Sequence, residues 1–181
     1  MFIAPFITPG GHGLIGNRGR GGAAVFDFEN MSAGEITAAG WVTDENGVRT
    51  LGRPINTPFS PIIRATTGAD EGADQCAACW SISSGGYARI IRKTVTDKIQ
   101  LQVVKDGVTV CDIDAGAVAD NTLFVLGARI ATDNFGVLID GQSEITDTSG
   151  TPPPNISLWT VGAHRDGTLP WTGTVWEVKV A

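Results

Sequence analysis

Long apolar runs are missing from this chain: none approaches the roughly 20 residues that a helix needs to cross a bilayer, so no membrane partner is expected. Helical periodicity is missing too, apart from one candidate turn over residues 114–120. Basic residues are few. Lys and Arg number 13 against 19 Asp and Glu, a formal charge of −6. Without clustered cations there is little to hold a phosphate backbone, and no nucleic-acid partner is expected. Cysteine is scarce and odd in number. Three thiols cannot all pair with one another, which favours reduced cysteines and a cytosolic folding environment. The opening residues Met1, Phe2, Ile3, Ala4, Pro5 and Phe6 are apolar but have no basic leader and are broken by Pro5. That is a poor signal peptide, and the expectation is a protein that folds where it is made.

What is present describes a globular β protein. Hydrophobic residues make up 42% and charged residues 18% of 181, enough for one domain that buries roughly two-thirds of its unfolded surface. Glycine, at 24 residues, is well above the usual share of about 7%. Such enrichment suits many tight turns, where positive φ is cheap for glycine.

Residues 1–24 read as an extended Gly-rich arm, and residues 25–181 as the body. The arm's Phe2, Ile3, Phe6 and Ile7 are costly to leave in water and are expected to dock on the body or on a partner,. Arg18 and Arg20 are expected to pair with a neighbour's carboxylates,. Residues 11–16 spell G-x-G-x-x-G, but prolines precede them and Asn17-Arg18-Gly19 follows. No strand leads in and no helix begins, so the dinucleotide reading lacks its context.

Short strands with turns between them follow. Residues 98–103 alternate strictly, with Ile99, Leu101 and Val103 on one face,. Asp106-Gly107 then turns the chain into residues 108–111,. Residues 122–131 and 135–140 form a second hairpin around Thr132-Asp133-Asn134, and Asp140-Gly141 makes the next turn. Over 174–180, Trp176, Val178 and Val180 are expected inward, with Glu177 and Lys179 outward; Trp176 is expected to fill the space between sheets,. Strands are also expected over 78–83, 87–93 and 156–163, with weaker signals at 36–42, 48–51 and 60–65. Many short strands at regular spacing point to a sandwich or barrel.

Three ordered pieces of the C-terminal half carry a family likeness: Phe135-Gly136-Val137-Leu138-Ile139-Asp140-Gly141, then Trp159-Thr160-Val161-Gly162-Ala163-His164-Arg165-Asp166-Gly167, then residues 171–180 (WTGTVWEVKV). In order and spacing they resemble the concanavalin A-like lectin/glucanase superfamily, particularly its laminin-G-like members. The resemblance covers roughly residues 85–181. It implies an all-β, two-sheet antiparallel jelly-roll sandwich, with the extended arm added at its N-terminus. Within it, Asp140-Gly141 and Asp166-Gly167 would fix hairpin register, and Gly162 would allow a close approach or a bulge.

Catalytic and metal motifs are incomplete. Glucanases of the superfamily carry alternating carboxylates on one strand; Asp112 and Asp114 would share a face, but the flanking glutamates are missing,. No Ser-His-Asp arrangement is recognisable, since His164 is the only histidine of the body,. No enzyme is expected. Cys76 and Cys79 have zinc-knuckle spacing without a partner pair among Cys111, His12 and His164, so buried thiols are expected rather than a metal site. Calcium sites occur in the superfamily, and Asp133, Asn134, Asp140, Asp147 and Asp166 are oxygen donors in loops, but spacing does not show that they converge,. No cofactor is expected. For sugar contact the candidates are Trp171, after Pro170 in a turn, with His164, Arg165 and Asp166 close in sequence. The competing reading, Trp171 packed back onto the sandwich, is the favoured one.

Sandwich domains joined to a short Gly-rich arm also resemble those in bacteriophage structural proteins. The expectation is a non-enzymatic virion structural protein: surface decoration, fibre or tail-associated, anchored by the arm and folded in the host cytoplasm. Its expected partners are capsid or tail proteins, further copies of itself and, through adhesion, a host glycan. The alternative is a free-standing carbohydrate-binding, lectin-like module.

Overall fold

The computed structural model describes residues 55–180 apart from 70 and 83, together with the backbone of three short upstream strands. Those three are β1 (Ala24–Asp27), β2 (Ile36–Thr37) and β3 (Gly40–Trp41). The body then runs through β4 (Pro61–Thr66), β5 (Gln75–Ser81), β6 (Tyr87–Arg92), β7 (Lys98–Lys105) and β8 (Val108–Ala117). It closes with β9 (Leu123–Arg129), β10 (Phe135–Ile139), β11 (Ile145–Asp147), β12 (Leu158–Val161) and β13 (Thr174–Val180). No helix occurs among the described residues.

Two antiparallel sheets face each other. The first is ordered β12-β5-β6-β7-β8 and the second β1-β13-β4-β9-β10-β11, while β2 and β3 pair separately. In the five-stranded sheet, four strands form a sequential meander and β12 returns to flank β5. In the six-stranded sheet, β13 inserts between β1 and β4. This interleaving of early and late strands is the jelly-roll topology expected from the sequence.

Alternation builds the core. Ile99, Leu101 and Val103 of β7 are fully buried, as their spacing requires. They meet Ile63 and Ala65 of β4, Phe124 and Leu126 of β9 and Val137 of β10 in one apolar cluster with Trp80 and Trp159. Two aligned sheets with interdigitating inner faces form such a core. Tight turns set the registers. Asp106 and Gly107 both have positive φ, 51° and 78°, and so do Asp140 and Gly141, 48° and 70°. Asp-Gly fits hairpin turns of this kind because Asp tolerates the left-handed region and Gly occupies it freely.

Several elements depart from the sequence reading. Residues 114–120 hold no helical turn: β8 stays extended to Ala117 because it pairs along β7, Lys98 lying opposite Ala117. The strand expected over 156–163 is shorter, with Ile156 in an isolated bridge to Ile55. Gly162 is not a bulge; with φ 78° it turns the chain out of β12. The Val48–Leu51 segment and the arm residues Phe2, Ile3, Phe6, Ile7, Arg18 and Arg20 lie outside the described residues.

Trp176 is the largest correction. The β13–β4 register shifts between Val175 and Glu177, so Trp176 is the extra residue of a bulge. Val175 and Val178 take the inward positions at 1% and 0% exposure, while Trp176 is 37% exposed. Its Nε1 donates to Thr66 Oγ1 at 2.9 Å. The space between the sheets is filled instead by Trp80, Trp159 and Trp171. An inserted residue inverts the inward–outward alternation beyond it, and periodicity alone does not reveal it.

Candidate functional site

The five-stranded sheet turns Ala88 and Ile90 of β6 into the core, so Tyr87, Arg89 and Ile91 stand on its outer face. Register then lays out two rows there. Leu158, Ser81, Tyr87 and Val104 lie side by side across β12, β5, β6 and β7. Beside them run Thr160, Cys79, Arg89, Gln102 and Asp112, which reach across to β8. Arg89 Nε and Nη2 both donate to Gln102 Oε1, at 3.0 and 2.6 Å. Further along, Asp114 accepts from Lys98 Nζ at 2.6 Å and from the Gln100 amide. The face is thus a ladder of planar hydrogen-bonding groups fixed on strands rather than loops.

The turn after β12 folds over one end of this face. Gly162 N–H donates to Ala77 O at 2.9 Å, and Trp171 N–H to Gly162 O at 2.8 Å. Between them His164 N–H donates to Thr168 O and Gly167 N–H to His164 O. Asp166 Oδ1 accepts from Thr168 N and Oγ1 at 3.0 and 2.6 Å. The hydrogen bonds from Thr168 hold the Asp166 carboxyl below its ordinary range.

This closed turn sets the His164 ring edge-on to Tyr87, 4.8 Å between centroids. Arg89 and Arg165 bring their guanidinium carbons to 5.0 and 5.8 Å from the same Tyr87 ring. Arg165 Nη1 also donates to Ile82 O at 3.4 Å. Burial, followed by the charge of Arg89, pushes His164 below its usual value of 6.5. Its Nδ1, Ser81 Oγ and Thr160 Oγ1 are buried with no hydrogen-bond partner.

Of the four sugar contacts expected from sequence, the structure brings His164 and Arg165 onto this face. Asp166 is exposed beside them. Trp171 is elsewhere: it is 3% exposed, lies edge-on to Phe124 at 6.1 Å and donates Nε1–H to Thr66 O at 3.1 Å. An indole so enclosed presents no face for stacking, in line with the packing reading. Tyr87, Arg89 and Gln102 were not singled out in the sequence. Their signal was the polar half of the alternation, which shows Gln100 and Gln102 opposite the apolar Ile99, Leu101 and Val103.

Asp112 and Asp114 do share the outer face of β8, opposite Gln102 and Gln100. With Ile145, Thr146 and Asp147 they line an open groove between β8 and β11. Asp114 is held below the usual carboxylate range by its hydrogen bonds from Lys98 and Gln100, the reverse of what a proton-donating acid needs. Three of the loop donors considered for calcium accept hydrogen bonds that hold loops in place. Asp133 accepts from Gly150 N, Asp140 from Val125 N and Asp147 from Ser149 N and Oγ. Among the described residues no three of His, Cys, Asp or Glu gather as a metal site.

Cys76 and Cys79 pack with Ile91 against Tyr87 and Leu169, while Cys111 joins the main core. Burial raises all three thiols, Cys79 and Cys111 to about 12. Such thiols are structural rather than reactive.

No protein-family model matches the chain, and no curated protein matches it in sequence. Solved structures do match its architecture. Mouse laminin α1 chain domains LG4-5 align with a TM-score of 0.56 at 12% identity, over 80% of this chain and 43% of that one. Sheep galectin-11, in complex with glycerol, aligns with 0.50 at 10% identity, over 74% and 96%. Domain 4 of the extracellular arabinanase AbnA from Geobacillus stearothermophilus, in complex with arabinotriose, aligns with 0.51 at 11% identity, over 69% and 60%. With two antiparallel sheets in this strand order and galectin and laminin G domains as structural neighbours, the chain has the concanavalin A-like jelly-roll fold.

Proposed function

We propose that the chain is a non-catalytic glycan-binding module whose site is the outer face of the five-stranded sheet. The observation that carries this reading is the ladder Arg89–Gln102–Asp112 beside Tyr87, with Arg89 locked to Gln102 by two hydrogen bonds. Sugars present hydroxyls to planar polar groups and C–H faces to aromatic rings, and rigid strands hold such groups without an ordering cost at binding. The likeness to a galectin, and to an arabinanase domain solved with arabinotriose, supports the reading. A glycan array should show specific binding, and Arg89→Ala and Gln102→Ala should each weaken it at least tenfold without loss of folding. No binding to any saccharide, or full binding by both variants, contradicts it.

A place on a bacteriophage particle is the second reading. β1 pairs with β13 at the edge of the six-stranded sheet, so Ala24, the last residue of the expected 1–24 arm, lies at a sheet edge opposite Val180. Capsid or tail proteins and further copies of the chain are the partners that reading requires, and adhesion to a host glycan unites it with the first. Deleting residues 1–24 should then abolish incorporation into particles while the body stays folded. Normal incorporation of the truncated chain contradicts it.

A further inference from the structure

We infer that the β12–β6 half of this face selects acidic saccharides, those bearing a carboxylate or sulfate; this rests on the glycan-binding reading above. The chain as a whole is acidic, at −6, and its other cations near the site are neutralised: Arg92 by Asp97 and Asp120, Lys93 by Asp74, Lys98 by Asp114. Arg89 and Arg165 are different. Arg89 is held by the neutral amide of Gln102, and Arg165 reaches the carbonyl of Ile82. Both flank one half-buried aromatic ring, Tyr87, within 6 Å. Two guanidinium groups on a local scaffold, neither paired to a carboxylate among the described residues, make a fork for a planar anion,.

The ground beneath them is also incomplete. Ser81 and Thr160, at 0% and 1% exposure, and His164, at 7%, keep a buried polar atom without a partner. All three lie on the same side of the sheet or in the turn folded over it, beside Cys79, Tyr87 and Arg89. A buried polar atom left unmet is costly, and such groups concentrate at sites with a function. The opposite end of the face carries Asp112 and Asp114. The face is therefore polarised, so an acidic sugar has one favourable end and a neutral chain would extend toward Gln102 and β8.

The test compares tetragalacturonate with the same oligosaccharide after its carboxyls are reduced to neutral alcohols, by calorimetric titration on the full chain. Tighter binding of the acid by at least tenfold is expected. Arg165→Gln should remove most of that preference, the acid losing more affinity than its reduced form. Sulfated and uronic members of a glycan array should rank above their neutral counterparts, while inorganic sulfate alone should compete only weakly. Equal binding of the acid and its reduced form overturns the acidic preference and leaves the glycan reading standing. Binding of no saccharide overturns both. Undiminished acid preference in Arg165→Gln and Arg89→Gln alike overturns the assignment to these arginines.

Discussion

The outer face of the five-stranded sheet carries Arg89, Gln100, Gln102, Asp112 and Asp114 around Tyr87, whereas that of the six-stranded sheet exposes Ile62, Leu123, Val125 and Trp176. Each face alternates with inner residues of the same core, so the contrast is not imposed by folding. On the first face side chains are tied laterally across strands, Arg89 to Gln102 and Lys98 to Asp114. On the second the large apolar residues are each only 37–48% exposed, a common condition at protein surfaces. Stability is therefore expected to reside in the shared interior and the strand ends, and recognition in the tied polar face.

Substitutions can break that division. The largest effect is expected at Gly173, where an added Cβ would overlap Thr66 O and lie 2.6 Å from Gly68 N. Backbone cannot yield there, so Gly173→Ala should lose more than about 4 kcal/mol, read as failure to fold or a collapse of the urea midpoint. Next come two tryptophans: Trp171, enclosed as the favoured packing reading had it, and Trp176, outward where the alternation had placed it inward. Trp171→Ala should cost about 3–5 kcal/mol as a core truncation, and Trp176→Ala clearly less, about 1–2 kcal/mol, for one surface hydrogen bond and partial burial. Equal losses in denaturant unfolding would contradict the bulge.

Arg92 falls between the two tryptophans in effect. It is 2% exposed and donates to Gly68 O, Asp97 and Asp120, closing one end of the sandwich. Its carboxylate partners are about half exposed, so solvent screens them once the arginine is gone. Arg92→Leu should destabilise by about 2–3 kcal/mol without changing glycan binding.

The smallest effect is pH dependence at His164. Burial and Arg89, with Arg165 adding and Asp166 opposing, keep its folded-state value below 6.5. Unfolded chains then take up a proton that the folded protein still refuses. Stability should be full above that value and fall as pH drops through it toward the folded value. Thermal midpoints between about pH 7.5 and about pH 5.5 should decline, and His164→Asn should flatten the decline. A slope that His164→Asn leaves unchanged would assign it elsewhere.

Much of the sandwich was legible in the sequence because period-2 alternation and Asp-Gly turns are local signals. Residues 98–103, 108–111 and 135–139 became strands for that reason, and Gly173 of the closing motif has the tightest surroundings of the described glycines, with Thr66 O against its Cα. β5 was harder. Its all-buried run Gln75–Ser81 shows no alternation, and the register shift between Cys76 and Ala78 disguises which side each residue faces. The candidate site was half legible. His164 and Arg165 sit in a recognisable turn, but Tyr87 and Arg89 gain meaning only once β6 lies beside β7 and the turn folds back from 77 residues downstream of Tyr87. Spacing along the chain does not encode such cross-strand neighbours.

The most direct test of the proposed recognition face is an amide chemical-shift titration with the saccharide that ranks first on the array. The account predicts shifts concentrated on β5, β6, β7 and the turn at residues 162–169, with Gln102 among the largest. Shifts gathered instead around Ile62, Val125 and Trp176 would place recognition on the wrong sheet and contradict it.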